Sequence, residues 1–181
     1  QLVVKNRKAE IHPIAGTFKR TGDDEKDAIL AKQLTEDPKE NSEHVMLVDL
    51  ARNDLSRNSH NVKVEKYREV QFFSHVIHLV SKISGDLHEK STIMQVVADT
   101  FPAGTLSGAP KHKAMQLIEN IENTNRNCYG GAIGFMDFED NFNHAIMIRT
   151  FLSKNHQLHY QAGAGIISSS DEESEMQEVN N

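Results

Sequence analysis

The sequence predicts an α+β fold built on antiparallel β-sheet. Three observations carry this. Helical patterns cluster over residues 23–34, 37–55, 74–83, 93–99 and 111–122, ahead of a run of strands joined by short polar turns over residues 129–162. Helices clustered first and an antiparallel meander later argue for an α+β organisation. No internal repeat or low-complexity linker divides the 181 residues, so a single domain over 1–181 is expected, long enough for a sizeable core.

Each element has a local cause. Residues 2–15 read as strand around a polar turn at Lys5-Asn6-Arg7, which suits a hairpin. Residues 23–34 form a helix whose first turn is acidic, the charge that the helix dipole favours there. Asp37 and Pro38 are a natural N-cap and N1 pair for the next helix, where Val45, Leu47, Val48, Leu50, Ala51 and Leu55 include spacings of three and four. Residues 62–67 read as a short strand, and residues 74–83 as a helix ended by Gly85. Two further helices follow, over 93–99 and 111–122. Strands over 129–138, 142–152 and 158–162 then turn at Glu139-Asp140-Asn141 and Ser153-Lys154-Asn155-His156. Ser168-Ser169-Ser170-Asp171 caps a final helix.

Bulk properties exclude several functions. The net charge is −6, and the basic residues are scattered among acidic ones with no aromatic interleaving, so a nucleic-acid partner is not expected. A single cysteine, Cys128, cannot form an internal disulfide, which suits a reducing cytoplasm. No apolar run approaches membrane-spanning length and no signal peptide is visible, so no membrane role is expected.

Gly104-Thr105-Leu106-Ser107-Gly108-Ala109-Pro110-Lys111 places two glycines, two hydroxyls and a lysine just ahead of a helix. Glycines let backbone N–H groups approach a ligand, and helix N-termini favour anions. The stretch is not a nucleotide P-loop, because Ala109 follows Gly108 and His112 follows Lys111. Taken alone, it reads equally as an ordinary tight turn into a helix. Around it, in order, stand Pro13-Ile14-Ala15-Gly16-Thr17, Glu43-His44-Val45-Met46-Leu47-Val48-Asp49-Leu50-Ala51-Arg52-Asn53-Asp54, Tyr129-Gly130-Gly131-Ala132-Ile133-Gly134, Ile146-Met147-Ile148-Arg149-Thr150 and Gln161-Ala162-Gly163-Ala164-Gly165. This ordered set resembles the C-terminal part of the chorismate-utilising enzymes, and within them the large subunits of anthranilate synthases. The resemblance implies antiparallel sheets with helices packed on the outside, only about half of that fold being present. The upstream half would carry the remaining core sheets and the tryptophan feedback site. Consistent with this expectation, the sequence opens on Gln1-Leu2-Val3-Val4 without an initiator methionine and stops within a glutamate-rich helical pattern.

Glu40 and Glu43 are three residues apart on one predicted helix, and Glu175 and Glu178 three apart on the last. That spacing puts each pair on one helical face. Two such pairs converging on one cavity would repel without a cation between them, and oxygen-only ligands with water suit Mg²⁺. Taken alone, an acidic pair reads as a solvated helix face. The resemblance decides for the metal: it makes Glu43 and Glu175 the ligands and Glu40 and Glu178 the supporting pair.

Arg149, among Ala145, Ile146, Met147 and Ile148, is the physical candidate for gripping a carboxylate, since a guanidinium among apolar neighbours needs a partner. An arginine on the solvent side of a strand is the alternative. The resemblance gives Arg149 and Tyr129 the pyruvyl carboxylate of chorismate, and Gly163, Ala164 and Gly165 the ring carboxylate. Gly16, Thr17 and Ser107 complete the ring pocket, with Thr105 and His78 as catalytic residues. His78, in His78-Leu79-Val80-Ser81, matches the histidine used when pyruvate is lost. His75 has no such match.

Ala15 separates the branches of the family. Related aminodeoxychorismate synthases commonly place a nucleophilic lysine at that position, and alanine cannot attack. Together with Thr105-Leu106-Ser107, this implies ammonia attack at C2 and anthranilate as product. The implied cofactor is Mg²⁺ and the implied partner a glutamine amidotransferase subunit, as a hetero-oligomer. An aminodeoxychorismate synthase, an isochorismate or salicylate synthase, and a non-catalytic fragment are the alternatives.

Overall fold

The structure, a computed structural model, describes residues 1–168 and 170–180, apart from the side chain of Glu178. The chain is organised as two compact units. The first comprises residues 1–101 and 135–143, the second residues 102–134 and 144–181.

The first unit opens on the expected hairpin, β1 (Leu2–Lys5) and β2 (Lys8–Ile11). Asn6 and Arg7 have φ of 50° and 61°, the pair of positive values that a two-residue hairpin turn needs to match strand twist. β3 (Ile14–Lys19) follows, then α1 (Asp24–Glu36) and α2 (Pro38–Ser56). Both helices begin as their sequences dictate. The Asp23 carboxylate accepts from the N–H groups of Glu25 and Lys26, and Asp37 accepts from Glu40.

Next come β4 (Ser59–Phe72), β5 (Val76–Leu87) and α3 (Ile93–Thr100). Two expectations are corrected. The strand expected over 62–67 is the middle of a much longer β4. The helix expected over 74–83 is strand β5, antiparallel to β3 and β2 on one edge and to β4 on the other. Val76, Ile77, Leu79, Val80 and Ile83 recur at spacings of three and four as a helix would require, and burial of alternate polar residues on the other face hides the period of two that would mark a strand. The seven-stranded sheet has the order β3-β5-β2-β1-β7-β6, with β4 also on β5. Here β6 is Ala132–Met136 and β7 is Phe142–Ile146.

The core lies where α2 and α3 cover this sheet. Leu2, Val4 and Ala9 pack with Val48, Ala51, Leu55, Ile83, Leu87, Ile93 and Val96. A smaller cluster under α1 joins Ala31 and Leu34 to Ile77 and Leu79. Among the described residues, every buried apolar side chain belongs to this first unit.

The second unit holds the one-turn helix α4 (Gly104–Ser107), α5 (Lys111–Ile121), the hairpin β8 (Leu152–Lys154) with β9 (Gln157–His159), and α6 (Glu172–Asn180). The helical turn inside the glycine stretch is an addition to the sequence reading. Asp171 starts α6, its Oδ1 accepting from the N–H and hydroxyl of Ser174, both at 3.0 Å. No helix among the described residues is long and apolar enough to cross a membrane.

Leu34 is fully buried on α1, whereas Ile29 on the same helix is exposed. Leu34→Ala should destabilise the protein by about 2–5 kcal/mol, whereas Ile29→Ala should stay within about 0.5 kcal/mol. Urea denaturation midpoints of the two variants check this.

Candidate active site

In the first unit the pairing of β3 with β5 sets Thr17 opposite His78. A bulge interrupts the register between Ala15 and Thr17, and the intervening Gly16 has a φ of +71°. Bulges re-aim side chains, and they recur beside active sites. Here the bulge turns the Gly16 carbonyl onto His78, whose Nδ1 stands 2.8 Å away, with Thr17 Oγ1 at 3.3 Å. A carbonyl only accepts, so Nδ1 carries the proton in the neutral ring. His78 is 4 % exposed, and the Phe73 ring meets it edge-on at 5.5 Å.

No side chain fits at Gly16. A Cβ there would lie 2.6 Å from Leu34 Cδ1 and 3.0 Å from Glu40 Oε2. The same measurement places the Glu40 carboxylate beside the bulge, so Gly16, Thr17, His78 and Glu40 stand together. Ala15 is buried on β3, facing Leu79 in the register.

Glu40 and Glu43 are both half-buried on α2. That helix is pinned to the sheet by polar contacts that the sequence reading missed. His44, fully buried, places Nε2 2.6 Å from Ser81 Oγ on β5, and the Ser81 hydroxyl also accepts the Arg68 N–H at 2.9 Å. The Arg68 guanidinium donates to the Thr35 carbonyl at 2.7 Å and to the Asn41 side chain. Burial, and then the nearby Arg68 charge, push His44 down to about 4, so its ring is neutral at physiological pH. A histidine directly following Glu43 was the available signal. Among ten histidines, only the tertiary pairing with Ser81 distinguishes it.

In the second unit a cavity of about 130 Å³ is lined by Thr105, Leu106, Glu122, Arg126, Tyr129 and residues 161–165. It therefore gathers five of the expected residues: Thr105, Tyr129, Gly163, Ala164 and Gly165. Tyr129 lies in the turn preceding β6, not within a strand, its N–H donating to the Arg126 carbonyl at 2.8 Å. Gly130 and Gly131 then exchange backbone hydrogen bonds with Met147 at 3.0 and 2.8 Å. A Cβ on Gly163 would sit 3.2 Å from the Tyr129 hydroxyl, so glycine keeps that approach open. Partial burial pushes the Tyr129 phenol up, so it remains an O–H donor at neutral pH.

Two expected residues stand differently. Ser107 is buried and does not line the cavity, its hydroxyl lying 3.3 Å from the carbonyls of both Ala103 and Gly108. Arg149 is not inside a strand. β7 ends at Ile146, and Arg149 occupies an exposed bend with φ of +52°, outside the cavity lining. Apolar neighbours suggested continuous strand, but the backbone leaves it at Met147 to bond with Gly130 and Gly131.

Glu122 and Arg126 were not singled out by the sequence, although their i,i+4 spacing was a signal. Arg126 Nε stands 3.1 and 2.9 Å from the two Glu122 carboxylate oxygens, and Nη2 stands 2.5 Å from Oε1. Its Nη1 donates to the Leu106 carbonyl at 2.7 Å, and its guanidinium lies over the Tyr129 ring at 5.7 Å. The pairing lowers Glu122 and raises Arg126, so both are charged at neutral pH.

Of the second acidic pair, Glu175 is buried on α6, while the side chain of Glu178 lies outside the described residues. Among the described residues, no group of three or more His, Cys, Asp or Glu side chains is arranged to hold a metal ion.

The chain is 48 % identical over 172 residues to anthranilate synthase component 1 of Mycolicibacterium smegmatis, covering 94 % of this chain and 33 % of that protein. Anthranilate synthase component I of Streptococcus pneumoniae superposes with a TM-score of 0.89 at 43 % identity, over 99 % of this chain and 40 % of that one. The menaquinone-specific isochorismate synthase of Escherichia coli also reaches a TM-score of 0.89, over 99 % of this chain and 41 % of that one, but at 24 % identity it shares the fold alone. The chain thus spans about a third of the length of the curated relatives it matches. The family model for chorismate binding enzymes matches residues 2–181, and the chain belongs to that family.

Proposed function

We propose that the protein carrying this chain is the large subunit of an anthranilate synthase, converting chorismate and ammonia to anthranilate and pyruvate. The observation that carries the reading is the β3 bulge: an alanine in place of a nucleophile at position 15, followed by Gly16 and Thr17 on His78. A buried methyl offers no lone pair, so the nucleophile at C2 is a small molecule. Ammonia forms the C–N bond there as the C4 hydroxyl departs. The likeness to anthranilate synthase components at 43–48 % identity favours ammonia over water.

The residues divide the work. His78, held by Gly16 through Nδ1, moves a proton at Nε2 as the ring aromatises and the enolpyruvyl group leaves as pyruvate. In the second unit, the Tyr129 hydroxyl, Thr105 and the backbone N–H groups of Gly163 and Gly165 supply donors suited to carboxylates, as donors lining the cavity. Arg149 joins them in this reading as the cation for the pyruvyl carboxylate.

Four glutamates are hard oxygen donors, and Mg²⁺ commonly uses one or two carboxylates with water and substrate oxygens. Glu43 and Glu175 are proposed to hold it, supported by Glu40 and Glu178. The ion would neutralise the ring carboxylate and draw electrons from the diene. With chorismate and ammonium, full-length enzyme stripped by EDTA should lose activity and recover it with Mg²⁺. Glu43→Gln should weaken Mg²⁺ binding in calorimetry, whereas Glu25→Gln at the exposed start of α1 should not. Undiminished turnover in EDTA would remove the metal.

A glutamine amidotransferase subunit is the proposed partner, because Cys128 is exposed and carries no nucleophile motif. A cytoplasmic hetero-oligomer belongs to the same reading. The isolated large subunit should use ammonium salts but not glutamine. Glutamine-dependent product from the single chain would refute the partnership.

Anthranilate is fluorescent, which gives the test of the product. His78→Met should still form the amino-deoxy-isochorismate intermediate, then stall and let it accumulate. Release of 4-amino-4-deoxychorismate by the parent enzyme would move it to the folate branch. Isochorismate or salicylate formed without ammonia would make water the nucleophile, and an unchanged His78→Met would make this histidine structural.

A further inference from the structure

We infer that Arg126, held by Glu122, is a positioning residue that sets the shape of the substrate cavity in the second unit. The inference rests on the chorismate reading above and goes beyond it, because Arg126 delivers none of its own donors to substrate in that scheme.

Three separate segments meet on one guanidinium. Nε and Nη2 are spent on Glu122, just past α5; Nη1 is spent on the Leu106 carbonyl inside α4; and the face of the group lies over the Tyr129 ring. Leu106 follows Thr105, and the Tyr129 hydroxyl approaches Gly163, so each end of the strut adjoins a residue placed against chorismate. A second cavity, of about 230 Å³, lies beside Ile118–Arg126, and Glu122 and Arg126 line both spaces. The ion pair is therefore a wall shared by the two cavities.

Its chemistry suits that task. A guanidinium is planar and always charged, so it can hold a carboxylate in two-point contact, a carbonyl and an aromatic face at once. An ammonium has neither the fork nor the plane. Among the described residues this unit has no buried apolar side chain to fix Leu106 and Tyr129 by packing, which leaves directional polar contacts to do so. The half-buried setting, with side chains 27 % and 30 % exposed, keeps the pair stronger than a surface salt bridge.

The test uses the full-length chain with chorismate, ammonium and Mg²⁺, comparing the parent with Arg126→Lys, Glu122→Gln and the double variant. A shifted cavity wall weakens ground and transition states alike, so KM for chorismate and the chorismate Kd from calorimetry should rise roughly ten- to hundred-fold, with kcat within about threefold. The double variant should be no worse than the poorer single one, because both changes break one contact. Arg126→Lys that lowers the thermal midpoint while leaving KM and Kd unchanged would overturn the inference, as would additive single effects. If Arg126→Lys does not fold, Glu122→Gln, which keeps shape and removes charge, gives the same reading. A parent enzyme that binds chorismate but forms no anthranilate would remove the proposed product, and the variants' chorismate Kd would still decide the role of Arg126.

Discussion

The pairing of β5 along both of its edges is the constraint from which the first unit follows. Its N-terminal half bonds to β3, its C-terminal half to β2, and β4 runs along the whole of the other edge. This makes β5 the strand with the least freedom. Its side chains Ile77, Leu79 and Ile83 enter the two core clusters, while His78, Ser81 and Ser84 bring polar atoms into the same buried ladder. Buried polar groups need partners, and those partners order the surroundings. Ser81 receives His44 and the Arg68 N–H, Ser84 donates to Glu65 at 2.9 Å, and His78 takes the Gly16 carbonyl. The helix with Glu40 and Glu43 is thereby registered against the strand with His78.

Charges across β2, β5 and β4 are balanced by a ladder of ion pairs. Glu65 bridges Lys8 at 2.6 Å and Lys82 at 3.2 Å, while Lys82 also reaches Glu10 at 2.8 Å. Hydrogen bonds from Lys8, Ser84 and Lys82 hold Glu65 down to about 2. Alternating charges on adjacent strands favour one register over its neighbours, since a slip would oppose like charges. The same logic operates at the end of β3, where buried Asp27 takes the Arg20 guanidinium at 2.7 Å and the Thr21 N–H at 2.8 Å. These contacts tie the strand carrying Gly16 and Thr17 to the start of α1.

The second unit obeys a different rule. Its glycines and turns bring backbone close to backbone, as where Gly130 and Gly131 bond to Met147. Arg126 links the elements that packing does not. The cavity it lines is walled by glycines, Tyr129 and the Glu122–Arg126 pair, with no large apolar surface. Family membership and this arrangement are compatible with several chorismate chemistries, since the isochorismate synthase neighbour shares the fold. In the function proposed above, what separates them is local, beginning with the side chain at position 15.

The hairpin turn at Asn6 and Arg7, the Asp23 and Asp37 caps, α3 and α5 were all legible in the sequence, because caps, turns and helix periodicity act over a few residues, whereas the expected meander is divided between β6 and β7 of the large sheet and the separate β8–β9 hairpin. The grouping of Thr105, Tyr129, Gly163, Ala164 and Gly165 was legible only through motif resemblance. The sequence misread β5, since burial on both faces erases the period that distinguishes strand from helix. It also extended β7 through Arg149, because apolar neighbours do not reveal that the backbone turns away to serve two glycines. The His44–Ser81 and Arg126–Leu106 contacts join residues 37 and 20 positions apart. Local preference specifies elements one at a time, whereas partners for buried and half-buried polar groups exist only once those elements have been brought together. The residue types were determined by the sequence alone, and their geometry by the tertiary structure.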